Sequence, residues 1–220
     1  MSALARINHA WFLLLNGGAE TSAAQVTAAT VVANGLIYLI PLLMVAYWLQ
    51  GGHARRSTAI KACLVAGVGL ALNQAIGLGW PQPRPFAIGL GHVWMDHTAN
   101  FSFPSNHMVV LAGVGLTLLL DGHRLWGMLI LLIAACVGWA RIFLGVHFPF
   151  DILGAVAVAA LSCALVAPLW RQAGGRLTGA LERLYARMLL QAIRRNWFPG
   201  LLGRLLLRVA PDRFASADRS

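Results

Sequence analysis

The 220-residue chain has little charge: 11% of its residues are Asp, Glu, Lys or Arg, and only seven are acidic. A typical soluble domain carries about twice that fraction. With 59% hydrophobic residues and a mean hydropathy of +0.70, a soluble cytosolic enzyme is excluded. Disorder is excluded too, since it needs low hydrophobicity and high charge. Cysteine is scarce, and Cys63, Cys136 and Cys163 lie inside apolar runs without metal-type spacing, so they read as small buried hydrophobes. No internal repeat, low-complexity stretch or nucleic-acid recognition module is present, and no nucleic-acid partner is expected despite the net charge of +10. The start, Met1–Gly18, has an apolar stretch too short for a signal peptide and a poor cleavage site. It reads as a retained helix near the membrane interface, or a sixth span if irregular.

What the chain does have is long apolar runs. A spanning helix needs about 20 mostly apolar residues. Five segments approach that: 26–49, 58–78, 106–120 (short), 125–144 and 150–170. The expected fold class is all-α, a polytopic transmembrane helical bundle of five spans with a short N-terminal helix and a basic C-terminal tail. Residues 1–170 form the membrane domain and 171–220 the tail. The connections Gly51–Arg56 and Asp121–Arg124 and the tail are basic, the tail holding ten arginines against three acids. With five spans all three fall on one side, which the positive-inside rule makes cytoplasmic. The loop 79–105 and the turn 141–150 then face the periplasm or exterior. In the tail, Leu177, Leu181, Leu184, Met188 and Leu189 alternate with Arg176, Arg183, Arg187 and Arg194 at helical spacing, a pattern suited to lying on an anionic leaflet.

Four motifs fall on the predicted outer face: Pro83-Arg84-Pro85-Phe86, Phe103-Pro104-Ser105-Asn106-His107, Arg141, and His147 with Asp151 four residues on. Ionisable groups at membrane level are costly and mark function by default. Two arginines supply permanent charge and planar forks for phosphate oxygens. Ser105 and Asn106 open a helix, whose first N–H groups attract anions. Asp151 can fix the tautomer of His147 and leave its other nitrogen as a nucleophile. His107 can act as acid and base. The only other acids on that face are Glu20 and Asp96, so no carboxylate cage for a metal is expected. His92, His97 and Asp96 read as solvated loop residues, Asn73 and Gln74 as bonds across helices, and His9, His53 and His123 as interfacial.

The order Arg84-Pro85, Pro104-Ser105-x-His107, Arg141-x5-His147-x3-Asp151 resembles the type 2 phosphatidic acid phosphatase superfamily, whose pattern is K-x6-R-P, P-S-G-H and S-R-x5-H-x3-D. The resemblance covers about residues 58–170 and is nearest to the bacterial undecaprenyl-diphosphatase branch. It implies a membrane phosphatase acting on a polyprenyl diphosphate through a phosphohistidine, with no metal or cofactor. His147 would be the nucleophile, Asp151 its orienter and His107 the acid and base, while Arg84, Arg141, Ser105 and Asn106 would hold phosphate. The chain departs from the pattern at Gly77, where the superfamily has Lys, at Asn106 for Gly, and at Ala140 for Ser. Other lipid phosphates, transfer of the phosphate to another lipid, and an anionic-lipid transporter are the rival readings.

Overall fold

The structure, a computed structural model, describes residues 2–194. Every regular element among them is helical: α1 (Ala3–Leu15), α2 (Ala23–Gly35), α3 (Leu39–Gln50), α4 (His53–Gly79), α5 (Asn106–Leu120), α6 (Arg124–Phe143) and α7 (Pro149–Arg194). Four segments are long and apolar enough to cross a membrane: 23–50, 53–79, 124–143 and 149–189. Their flanks expose Leu42, Leu132, Leu153, Leu161 and Leu169, which would be untenable in water.

The first expected span is one segment but not one helix. A 3-10 turn, Leu36–Tyr38, separates α2 from α3. Pro41 lies just beyond it, and a proline ring displaces the carbonyl four residues earlier, here Ile37. α5 is only 15 residues, about 22 Å, yet it runs from one end of the bundle to the other. It can be short because it is the hub: α4, α6 and α7 pack around it, and Met108, Val109, Leu111, Val114 and Leu118 are buried. These residues form one core with Ala59 and Ala62 of α4, Val137 of α6 and Ala155 of α7. Of the cysteines only Cys163 is buried; Cys63 and Cys136 lie exposed on apolar helix flanks, where an apolar solvent replaces a core.

α7 continues without a break past residue 170 to Arg194, about 70 Å in all. Pro168 lies inside it and forfeits its backbone bond without ending the helix. The tail helix packs through Thr178, Ala186 and Leu189, while Leu177, Leu184 and Met188 are exposed. Of the expected apolar stripe, Leu189 is thus packed, while Leu177, Leu184 and Met188 stay open on the helix surface. The rest of the expected tail, residues 195–220, lies outside the described residues.

The three basic segments do meet at one end. Glu182 of α7 accepts from Arg56 (3.4 Å) and pairs with His53 (3.0 Å). Lys61 of α4 holds Asp121 at 2.6 Å, and Thr58 donates to the same carboxylate at 3.0 Å. The C-terminus of α4, the N-terminus of α5, the C-terminus of α6 and the N-terminus of α7 gather at the opposite end.

Candidate active site

The spacing between Arg141 and His147 is set by a helix terminus. α6 ends at Phe143, and Gly145 follows at φ 82°, the left-handed region a side chain resists. A Cβ there would also collide with the His92 carbonyl. The Gly145 N–H donates to Ile142 and the Val146 N–H to Arg141, at 3.0 and 3.1 Å, which is the Schellman closure. It delivers His147 just after the turn that anchors Arg141.

The spacing between His147 and Asp151 is set by a helix start. Pro149 opens α7, where its missing N–H is no loss. Asp151 is then the third helical residue, and its Oδ2 accepts the Phe148 N–H at 2.7 Å, one half of a capping box. The same oxygen lies 3.2 Å from His147 Nδ1 and accepts the Ser102 hydroxyl. Nδ1 therefore carries the proton and Nε2 the lone pair. Burial holds His147 well below the usual imidazole range, to about 4, against the raising effect of Asp151 and with the help of Arg84 and Arg141.

Arg84 and Arg141 are 5% and 2% exposed, and His147 and Asp151 are each 3% exposed, so the charges are desolvated. Arg84 Nη1 donates to the Val146 carbonyl (2.8 Å) and lies 3.3 Å from His147 Nε2. Its Nε and Nη2 both donate to Asn100 Oδ1, at 3.0 and 2.8 Å. Burial lowers Arg84 to about 10, offset in part by Asp151, and leaves it a cation at neutral pH. Arg141 Nη2 donates to Asn34 Oδ1 (3.3 Å) and to His107 Nε2 (2.9 Å). A guanidinium can only donate, so His107 presents a lone pair there.

Ser105 is the N-cap of α5, yet its hydroxyl makes no cap bond. It is fully buried and unpartnered, as is Arg141 Nε. A buried polar atom without a partner costs free energy unless something else satisfies it. The first bond inside α5 is Val109 N–H to Ser105 O, which leaves the N–H groups of residues 106–108 ahead of the helical ladder. Two arginines, two imidazole nitrogens, a free hydroxyl and a helix start suit a tetrahedral oxyanion. Asn106 is at the same helix start, but its Oδ1 takes a bond from Asn73 Nδ2 (3.0 Å), which also holds the Pro104 carbonyl (3.1 Å). Asn73 thus bonds across helices.

Gly77 packs face-on against the Phe101 ring, which occupies the space a Cβ would need. No long side chain could start there without moving Phe101. Asn100, the residue before Phe101, binds the Arg84 fork. Asn34, Asn100 and Ser102 were not singled out by their sequence. Asn34 alone had a signal, an amide within an apolar span. Asn100 and Ser102 look like any polar loop residue. His97, half-buried in the same loop, lies near enough to both arginines for their charges, after burial itself, to lower its pKa. On the other side of Asp151, a cavity of about 330 Å³ is walled by Asn8, His9, Trp80, Phe103, Phe148 and Phe150.

A sequence model of the PAP2 superfamily matches residues 58–174. The Escherichia coli (strain K12) protein YbjG, by name a candidate undecaprenyl-diphosphatase, is 33% identical over 195 residues, which span 88% of this chain and 98% of that one. Undecaprenyl-diphosphatase BcrC of Bacillus subtilis (strain 168) is 27% identical over 153 residues, 70% of this chain and 79% of that one. Among solved structures, Aquifex aeolicus LpxE superposes with a TM-score of 0.61 at 22% identity, covering 74% of this chain and 95% of that one. That likeness speaks for the fold alone.

Proposed function

The chain belongs to the PAP2 superfamily and is a membrane protein, and from that premise we propose that it hydrolyses undecaprenyl diphosphate to undecaprenyl phosphate and inorganic phosphate. The observation that carries the chemistry is the desolvated pair His147–Asp151 with the Arg84 guanidinium 3.3 Å from the free imidazole nitrogen. The relatives' names carry the choice of substrate.

In this reading the terminal phosphate enters between Arg84 and Arg141 and takes up the unpartnered Ser105 hydroxyl and Arg141 Nε. His147 Nε2 attacks the terminal phosphorus. The bond from that phosphorus to the bridging oxygen breaks, and the electron pair leaves on the lipid monophosphate. His107, which takes a proton from water when the anion draws Arg141 away from its Nε2, gives that proton to the leaving oxygen. Water then attacks the phosphohistidine, His107 takes the water's proton, the P–N bond breaks, and phosphate departs. The arginines act most strongly on the charge that develops in transit, since they are fixed and dry beforehand. Asp151 stabilises the imidazolium character of His147 in both steps.

The site is assigned to the outer face of the cytoplasmic membrane and the tail to the cytoplasm, because Arg55, Arg56, Lys61 and Arg124 all sit at the end opposite the site. The aromatic cavity beside Asp151 offers apolar surface for the start of the prenyl chain. The test is phosphate release from undecaprenyl diphosphate by purified protein in detergent with EDTA, beside His147→Ala. Release that survives the chelator and vanishes in the variant is expected. Release from phosphatidylglycerophosphate, phosphatidate or lipid A instead would overturn the substrate, and loss with EDTA would overturn the metal-independent chemistry.

A further inference from the structure

α1 is too short to cross a bilayer, about 20 Å, and lies outside the residues that carry the family pattern. It nevertheless docks at the active-site end. Phe12 is fully buried and meets Phe148 edge-on, with ring centroids 5.3 Å apart, and His9 stacks on the same ring at 5.1 Å. Trp11 meets Phe150 edge-on at 5.9 Å. The two rings α1 grips therefore flank Pro149, immediately after His147.

The polar contacts are more specific than the packing. α7 has only half of a capping box: Asp151 accepts the Phe148 N–H, but Phe148 has no side-chain acceptor to return to the first turn. That acceptor comes from α1. Asn8 Oδ1 takes the Phe150 N–H at 3.0 Å, across 142 residues of sequence. At its other end, Asn16 Nδ2 donates to the Phe143 carbonyl (2.9 Å) and the His92 carbonyl (3.0 Å), and its Oδ1 accepts the His92 N–H at 2.7 Å. The Gly17 N–H adds a second bond to Phe143 O at 3.0 Å, and Trp94 Nε1 donates to Gly17 O at 2.8 Å. One short helix thus caps the start of the helix carrying Asp151 and the end of the helix carrying Arg141.

We propose that α1 is a clamp that sets the catalytic geometry, with Asn8 and Asn16 as positioning residues: Asn8 completes the α7 cap and so aims the Asp151 carboxylate at His147 Nδ1, and Asn16 fixes the α6 terminus and so places Arg141. The inference rests on the phosphohistidine reading for its kinetic consequence but not for its structural one. An N-cap contact governs the first helical turn, and Asp151 sits in that turn. Losing the Asn8 acceptor leaves the Phe150 N–H unpaired and slackens the turn. His147 then keeps its place in the Schellman closure but loses its fixed orienter.

The test compares Asn8→Leu, similar in size but without an acceptor, with Asn8→Asp, which keeps one. Each is assayed by phosphate release from undecaprenyl diphosphate and by hydrogen exchange of the intact protein in detergent. Asn8→Leu is expected to lower kcat roughly fivefold to tenfold. The acid limb of its pH profile should move to lower pH, because the carboxylate that raises His147 is less well aimed. Exchange over residues 148–152 should quicken while that over 108–118 does not, and Asn8→Asp should restore kcat to within about threefold. Asn16→Leu should likewise lower kcat, through Arg141. If wild type releases phosphate and His147→Ala does not, an unchanged kcat and pH profile in Asn8→Leu overturns the clamp. If His147→Ala still turns over, it is the phosphohistidine reading that fails. Hydrogen exchange then decides the clamp alone: unchanged protection over 148–152 in Asn8→Leu overturns it, and faster exchange supports it.

Discussion

Asp151→Asn is the sharpest perturbation of this site, because it alters charge and almost nothing else. The carboxylate accepts from the Phe148 N–H, the Ser102 hydroxyl and His147 Nδ1, all through Oδ2. An amide whose oxygen takes the Oδ2 place keeps all three contacts, with its NH2 group in the Oδ1 place. What is lost is the negative charge, which leaves the imidazolium developing on His147 uncompensated. Two unit charges about 4 Å apart interact by about 4 kcal/mol at an effective dielectric constant of about 20. Only part of that charge develops in the transition state, and Arg84, 3.3 Å from the same ring, opposes it. A loss of about 2–4 kcal/mol remains, or about 30-fold to 1000-fold in kcat. Asp151 faces the ring and not the arginines' anion site, so KM should stay within about threefold. The assay is steady-state phosphate release across substrate concentrations, with thermal unfolding in the same detergent to show a folded protein. A folded variant that loses less than about tenfold in kcat, or loses it through KM, would refute the role given to this carboxylate.

Other expectations follow from the same geometry. His147 is held to about 4, so with respect to this group kcat/KM should stay level down to about pH 5 and fall as pH drops through about 4; a limb near 6.5, the ordinary imidazole value, would contradict it. Stability changes with the same sign, since the unfolded imidazole gains its proton below about 6.5 while the folded one resists until about 4; thermal scans should show this group weakening the fold across that window and no further below it. Arg84→Lys should cost about 100-fold in kcat/KM, because an ammonium cannot serve Asn100, Val146 and His147 together as the fork does; an effect below about fivefold would show that charge alone suffices. Gly77→Ala should cost about 1–3 kcal/mol of stability as its methyl meets the Phe101 ring, with Phe101→Leu recovering part of the unfolding temperature in the double variant.

The residues that declared themselves in the sequence did so because they stand at helix ends in fixed local patterns. The interval from Arg141 to His147 is a Schellman closure plus one residue, and that from His147 to Asp151 is half a capping box around Pro149. Both are local, so the chain's own order encodes them. Asn100 and Ser102 reach their partners through a loop with no regular period, and a polar residue in a loop normally reads as solvated. Asn8 and Asn16 were beyond reach for a different reason: their partners are 76 to 142 residues away, and nothing in a 13-residue apolar helix announces which helix ends it will meet. The span and the tail helix join without a break in α7, because Trp170 and Arg171 mark where lipid gives way to water, which is a change of solvent and not a stop signal for the backbone.

The division of labour between the two ends of the bundle follows from what helix termini offer. Each terminus presents N–H or C=O groups that the helix itself cannot satisfy. In lipid such groups are intolerable, so they must be capped by side chains or brought to the interface. At the basic end they are joined by conventional ion pairs, Lys61 with Asp121 and Arg56 with Glu182, whose charges cancel. At the site end the balance is deliberately incomplete. Two buried arginines face one buried carboxylate, and that carboxylate is already committed to His147, Ser102 and Phe148. The excess positive charge, the idle Ser105 hydroxyl and the idle Arg141 Nε share one remedy, an anion with several oxygens. A scaffold or a purely structural bundle would have no use for that deficit, since a second carboxylate would remove it. Placing an Asp at Ser105 should therefore raise thermal stability while abolishing phosphate release, and a variant that lost both would show that the hydroxyl serves packing and not the anion.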